Sequence, residues 1–472
     1  DGKFYWEAGD KIWVKDDSGN WKQSSNSPTD KTVSFKFLMP GKYTAKSSYE
    51  VYYPGKNGSQ DRVTISANQT QTEPNTTAHF GESGDCGIAK ATRNATSHEF
   101  EFALDHKAAY LVFKPYTSND VLKYCYLTKI EVTSEDDITD TYILDPTADT
   151  GAGALTGAGD GKKIVLTTKG DDGSTYQNGF PLTNTSASLT TNGAYMVIKP
   201  GTHTLRIRYW VKDVATKIEG TITKNIPSHT FAKNEYVNME ADLQIKNYDG
   251  DHYYMWDAQE QYWKGYEWTK HLPVGTGQPT LNGNSSSNYA QDRNDTNHRW
   301  FHEGGGSGRL DATHTSFNNV PNANEMSWYV MYGDPRWDGD ELWTTMGHLY
   351  KGGMWLKKKS VLQAENHYNT EKSANGSTDL RTKYLDYDNH NSSINNSGLP
   401  SLAEANKYFY LPALGYYLFG EMYHVGDVGA YWSSSADPER SSSAYNLYIG
   451  SGTISMGCYY YRQYGYRVEP LQ

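Results

Sequence analysis

Thr204-Leu205-Arg206-Ile207-Arg208-Tyr209-Trp210-Val211-Lys212-Asp213 alternates apolar and polar side chains without interruption. Neighbouring strand side chains point to opposite faces. Leu205, Ile207, Tyr209 and Val211 therefore share one face, and Arg206, Arg208, Trp210 and Lys212 the other. Pro200-Gly201 turns the chain into this strand. Pro40-Gly41 stands in a similar way before Tyr49-Glu50-Val51-Tyr52-Tyr53, which Pro54-Gly55 ends. Upstream of it, Ala109-Tyr110-Leu111-Val112-Phe113 is an apolar run long enough for a core strand and too short for a helix. Phe100, Phe102 and Leu104 alternate with polar neighbours, and strands are expected at 129–133 and 163–167. Nearer the start, Lys11-Ile12-Trp13-Val14 precedes the turn Asp16-Asp17-Ser18-Gly19-Asn20, and Val33-Ser34-Phe35-Lys36-Phe37 has the period of a half-buried strand. Short strands at turn-punctuated spacing predict β-sandwiches or small barrels over 1–95 and 96–245.

The style changes after residue 245. Residues 248–340 are dense in Tyr, Trp, Asn and Gly, with polar loops at 282–297 and 304–308. Helical signals occur at 342–349 and 402–407, the second with Ser401 as N-cap and Glu404 completing a capping box. The last sixty or so residues return to tyrosine-rich strands. This predicts a mixed α+β domain over 246–472, and the fold class is mainly β.

Composition narrows the function. The 472 residues carry 44 Lys+Arg against 55 Asp+Glu, a net charge of −11, which disfavours a nucleic-acid partner. With 21% charged and 14% aromatic residues, the chain is folded rather than disordered. Cys86, Cys125 and Cys458 lie far apart with no CxxC pair, so neither a disulfide scaffold nor a structural zinc site is expected. No apolar run reaches the ~18 residues of a membrane span. The opening Asp1-Gly2-Lys3-Phe4 is neither a start Met nor a signal peptide, leaving a removed leader or a shortened chain open.

Motifs for chemistry are weak. Gly84-Asp85-Cys86-Gly87 resembles a cysteine-protease nucleophile loop but lacks an identifiable His base. His298 and His302 could share a metal on a helix, yet Asn294-Asp295-Thr296 and Gly304-Gly305-Gly306 flank them and argue against one. The acidic groups Asp249/Asp251 and Asp334/Asp338/Asp340/Glu341 offer oxygen ligands suited to calcium but do not fit the EF-hand loop, and are read as solvated turns. No catalytic residue, metal or cofactor is expected, and the protein is read as no enzyme.

The informative feature is aromatic density near the C-terminus. Trp432, Tyr445, Asn446, Tyr448, Tyr459, Tyr460, Tyr461, Tyr464 and Tyr466 are candidate ligand-binding residues, with Leu447, Ile449, Ile454 and Val468 as scaffold. Tyrosine offers a rigid ring and a hydroxyl at low entropic cost, as in recognition loops. The alternative is that these tyrosines fill a core. Three in a row at 459–461 cannot all face inward on a strand.

Two segments resemble known families. Trp6-Glu7-Ala8-Gly9-Asp10-Lys11-Ile12-Trp13-Val14 and the opening of the second segment at 100–113 are similar to the fimbrillins, pilins of Bacteroidales type V pili. Tyr410-Leu411-Pro412-Ala413-Leu414-Gly415-Tyr416, Gly429-Ala430-Tyr431-Trp432-Ser433-Ser434-Ser435, Ala444-Tyr445-Asn446-Leu447-Tyr448-Ile449 and Gly465-Tyr466-Arg467-Val468-Glu469-Pro470 resemble the Fibrobacter major-paralogue domain, which has a C-type-lectin-like fold. Glu469 stands where that family usually has a second basic residue. The resemblance implies two transthyretin-like β-sandwich domains followed by an α+β C-type-lectin-like domain, with 326–472 as the core of the match. It implies an extracellular tip or minor fimbrillin at the cell surface, exported as a precursor and acting as an adhesin. Its partners would be other pilin subunits, through donor-strand insertion into the first domain, and a host or bacterial surface protein or glycan. A genetically diversified ligand surface, including Ser455 and Cys458, is a further implication. The lectin calcium motif is not matched: Glu73-Pro74-Asn75 lies in the first domain and no Trp-Asn-Asp occurs. The alternatives are a secreted carbohydrate-active enzyme or polysaccharide-capture protein, and a structural anchor subunit of the pilus.

Overall fold

The computed structural model describes residues 3–267, 287–391, 394, 398–457 and 460–472. The fold is mainly β, with 40% strand against 9% helix, as the turn-rich, aromatic composition demands. It divides into two compact units, Asp1–Gln244 and Ile245–Gln472.

In the first unit an antiparallel sheet runs in the order Trp21–Gln23, Trp13–Lys15, Ser48–Tyr53, Gly87–Arg93 and Phe100–Glu101. Strand alternation puts Ile12, Val14, Tyr49, Val51, Ala89 and Ala91 into one buried cluster. Loose aromatic side chains cover that cluster, among them Trp6, Phe37 and Phe102, all only partly buried. The strand expected at 33–37 does not form. Its alternation survives as burial, with Phe35 and Phe37 half-buried and Ser34 and Lys36 exposed, but no ladder partner lies beside it. The Asn26 side chain holds the backbone instead, donating to Lys36 O at 2.9 Å and accepting from Leu38 N at 2.7 Å. Periodicity fixes which side chains share a face, not which strand is the neighbour.

The second sheet runs in the order Glu219–Phe231, Gly201–Lys212, Tyr126–Ser134, Lys163–Thr168 and Asn68–Gln71. A three-stranded sheet, Ala194–Ile198, Ala109–Tyr116 and Tyr236–Asp242, packs with it; Phe113 meets Tyr209 edge-on at 6.1 Å. Leu205, Ile207, Tyr209 and Val211 are fully buried, as the alternation requires. Arg206 and Arg208 on the opposite face are buried too, and Arg208 donates to Thr221 and Thr223 of the neighbouring strand. The expected boundary at residue 95 is crossed by hydrogen bonding. Asn68–Gln71 joins the later sheet in parallel, Arg62–Ile65 pairs with Asp140–Asp145, and Phe100–Glu101 completes the earlier one. The two expected sandwich domains are thus interlocked in a single unit.

That interlock also closes an edge. Gln69 exchanges two bonds with Val197, donating to its O at 2.7 Å and accepting from its N at 2.9 Å. Gln71 accepts from Tyr195 N at 2.8 Å and donates to Gly193 O at 2.9 Å. Both amides imitate a neighbouring strand along Ala194–Ile198, satisfying groups that would otherwise template aggregation.

The second unit has one antiparallel sheet of Arg336–Thr345, His348–Lys357 and Tyr408–Pro412. Another runs in the order Tyr253–Tyr254, Tyr466–Arg467, Val428–Ala436, Ala444–Gly450, Thr453–Gly457 and Tyr387–Asn389. The helix expected at 342–349 is a hairpin. Met346 (φ 51°) and Gly347 (φ 81°) form its two-residue turn, a geometry that matches the twist of the flanking strands. The helix expected at 402–407 is a short 3-10 turn, Ala405–Lys407. The longest helix among the described residues is Ala323–Tyr332, capped by Asn322, whose side chain accepts from Glu325 N at 3.0 Å while Glu325 accepts from Asn322 N at 2.8 Å. Its buried face packs with Leu447, Ile449 and Ile454. Asn322→Ala is expected to cost about 1 kcal/mol, read as a lower denaturation midpoint with an unchanged folded-state circular dichroism spectrum.

The last residues are tied into this unit. Tyr466–Arg467 lies between two strands of the sheet, Val468 N donates to His252 O at 2.8 Å, and Gln472 O accepts from Lys359 N at 2.8 Å.

Candidate functional site

The strand Ala444–Gly450 sorts the tyrosines. Tyr445, Leu447 and Ile449 enter the cluster beneath the helix, while Ala444, Asn446 and Tyr448 take the opposite face. Tyr445 and Tyr448 are three apart, so the pleat cannot present both. This corrects part of the expected ligand set. Trp432, Tyr445, Asn446 and Tyr466 are each at most 1% exposed and pack inside the unit. The Trp432 indole donates to Tyr254 O at 2.8 Å, and its ring lies 4.4 Å from that of Tyr466. These four residues support the surface from below and cannot be its contact groups. Tyr459 and Cys458 lie outside the described residues. Leu447, Ile449, Ile454 and Val468 are buried scaffold, as expected.

Tyr448, Tyr460, Tyr461 and Tyr464 do reach the surface; Tyr460 is 37% and Tyr461 50% exposed. The Tyr448 and Tyr460 rings are parallel within 2° at 6.2 Å, and Tyr464 stands edge-on to Tyr461 at 5.7 Å. Sequence reasoning missed the other wall, the hairpin of Leu414–Leu418 and Glu421–Val425. Tyr416 there pairs across strands with Tyr423 and meets Tyr466 at 5.4 Å. Phe419 at the hairpin tip is 54% exposed and edge-on to Tyr464. Alternation of Tyr416, Leu418, Tyr423 and Val425 about the Phe419-Gly420 turn was the signal that could have found it.

Burial and the neighbouring phenols push the Tyr416 hydroxyl up to about 12, and burial likewise raises Tyr448, Tyr464 and Tyr466. The Tyr423 hydroxyl is raised by its hydrogen bond to Glu421. These phenols stay protonated across the physiological range, so the surface offers rings and neutral hydroxyls.

The other sequence candidates do not assemble. Cys86 is fully buried, and burial beside Asp85 drives its thiol well up, away from the thiolate a nucleophile needs. His298 sits in a turn at φ 56°, and His302 donates to the buried Asp257 at 2.7 Å. Among the described residues no group of three or more His, Cys, Asp or Glu could hold a metal ion. The acidic turns are engaged internally: Asp249 by His252, Asp334 by Arg336 and Tyr408, Asp338 by the Trp355 indole.

In the first unit, the loosely covered sheet face leaves an apolar cavity of about 300 Å³ between Val14, Val51 and Phe37, Met39 and Phe102. A wider cleft of about 660 Å³ shares Phe35, Phe100 and Phe102 with it and reaches Phe4 and Trp6. Its acids serve the fold. Asp10 accepts from Glu7 N and the Tyr53 hydroxyl, both at 2.7 Å, and burial raises its carboxyl. Asp85 accepts from Cys86 N at 2.9 Å, His106 at 3.0 Å and the Tyr110 hydroxyl.

No protein-family model matches the chain, and no curated protein matches it. Solved structures similar to it include a candidate cell adhesion protein from Bacteroides ovatus, with 14% identity and a TM-score of 0.29, covering 51% of this chain and 84% of that one. Another is a candidate cell adhesion protein from Bacteroides uniformis, also at 14% identity and TM-score 0.29, covering 50% and 88%. A fimbrial protein from Bacteroides ovatus aligns over 98% of this chain and 93% of its own, at 11% identity and a TM-score of 0.23. At these values the likenesses assign no function.

Proposed function

We propose that the protein is a pilus-associated adhesin of the cell surface, at a tip or minor position, that works by binding and not by catalysis. The observation that carries this reading is the exposed aromatic surface built by Phe419, Tyr448, Tyr460, Tyr461 and Tyr464, since clustered exposed rings mark interaction sites. The first unit supplies attachment to the pilus. A loosely covered apolar sheet face beside an unladdered segment, 33–39, offers main-chain groups and side-chain pockets to an incoming donor strand from another subunit. In this reading the protein is extracellular and exported as a precursor.

The test of the attachment half uses the intact chain and a synthetic peptide of alternating apolar residues. Binding is expected to be lost, at least about tenfold, when Phe37 and Met39 are replaced by Lys, which leaves the buried strands untouched. Undiminished binding by that variant would remove the groove from the account.

A further inference from the structure

Several phenols of the second unit are engaged inside the fold. Tyr253 donates to Leu414 O, Tyr431 to Pro412 O, Tyr368 to Glu325 and Tyr408 to Asp334. Tyr416, Tyr448, Tyr460, Tyr461 and Tyr464 have ring contacts with one another, with the buried Tyr466 or with Phe419, but their hydroxyls have no hydrogen-bond partner among the described residues. Each free hydroxyl can both donate and accept.

Few charged side chains border the cluster. The largest influences on the ionisation of Tyr416, Tyr448, Tyr464 and Tyr466 are burial and one another's phenols, with no carboxylate, ammonium or guanidinium among them. Among the described residues, ring and hydrogen-bond contacts set two titratable side chains other than tyrosine against it. Glu421 is already engaged by the Tyr423 hydroxyl at 2.9 Å, and His424 lies 5.9 Å from Tyr416. A charged ligand would find little counter-charge here, since Glu421 is already engaged by Tyr423. A sugar ring matches both features, because its C–H face packs on an aromatic ring and its hydroxyls pair with neutral donors and acceptors.

We propose that this surface takes an uncharged glycan, held without calcium by stacking on the tyrosine rings and by hydrogen bonds to their free hydroxyls. The inference rests on the adhesive reading of the second unit and names its ligand class.

The experiment titrates the intact chain with neutral oligosaccharides (β-glucan, xylan, α-mannan and galactan oligomers) and with acidic ones (polygalacturonate and chondroitin sulfate). At least one neutral series is expected to bind, unchanged by excess EDTA or by a several-fold increase in salt. The pair Tyr460→Ala and Tyr464→Ala is expected to weaken it at least about tenfold. The pair Tyr460→Phe and Tyr464→Phe keeps the rings and the packing and is expected to lose about threefold. Tyr332→Ala, at a separate exposed tyrosine on the helix Ala323–Tyr332, should leave binding unchanged. Binding confined to acidic probes, abolished by EDTA, or indifferent to both tyrosine pairs overturns the proposal. Adhesion to cells that needs Tyr460 and Tyr464, yet is not competed by any neutral probe, overturns the glycan and leaves the adhesin standing. Adhesion unaffected by either pair overturns both.

Discussion

Arg467→Ala is expected to lower the stability of the Ile245–Gln472 unit by about 3–5 kcal/mol. Arg467 is 1% exposed, and its guanidinium lies 5.1 Å over the Tyr253 ring. Nε donates to Glu469 Oε1 at 2.8 Å and Nη1 to Asp249 O at 2.5 Å. Truncation removes the cation and leaves a partly buried carboxylate and a carbonyl without their donor, which costs more than the pair contributes when intact. Glu469 is the carboxylate partner of this buried arginine. Glu469→Gln keeps an acceptor and should cost about 1 kcal/mol. Denaturant midpoints of the full chain followed by tryptophan fluorescence check this, because nine of the 13 tryptophans lie beyond residue 244. A midpoint for Arg467→Ala equal to that of the native chain would show the ion pair to be immaterial.

The first unit is expected to lose stability in acid through His79. Its Nε2 faces Tyr195 O at 2.8 Å, its Nδ1 is buried with no partner, and burial holds the imidazole at about 4 against an ordinary 6.5. Between those values the unfolded chain binds a proton that the native chain refuses. Stability therefore falls as pH drops from 6.5 towards 4, by about 3 kcal/mol in all, and is indifferent to this group above 6.5. Asp10 and Glu7 act with the opposite sign, because burial raises both carboxyls and their ionisation is what costs stability as pH rises. Comparison with His79→Gln isolates the histidine. Urea midpoints measured near about pH 7 and about pH 4.5 should converge in the variant and diverge in the native chain. Parallel decline in both proteins would place the acid sensitivity elsewhere.

Local alternation carried much of this fold. The strand at 204–213 shows in the sequence because each face has a single character, and the same holds for the core strand at 109–113. Partnership was not legible. Residues 33–37 have a strand's period but no ladder, and Asn68–Gln71 crosses into a sheet whose other strands lie far along the chain, a choice that only long-range packing makes. The helix was legible and misplaced: Asn322-Ala323-Asn324-Glu325 is a capping-box spacing as good as Ser401 to Glu404, and the apolar run after it is the longer one. At the candidate surface, density of tyrosine located the region. Parity within Ala444–Gly450 was needed to separate Tyr448 from the buried Tyr445, and Tyr416 and Phe419 came from a hairpin whose proximity is tertiary.

Hydroxyl-radical footprinting of the intact chain, free and adhering to a bacterial or host-cell surface, tests the adhesive role of the second unit most directly. Tyr460, Tyr461 and Tyr464 are expected to become protected on adhesion while Tyr332 stays as reactive as in the free protein. Protection confined to Tyr332 or to the first unit, with the three tyrosines unchanged, would contradict it.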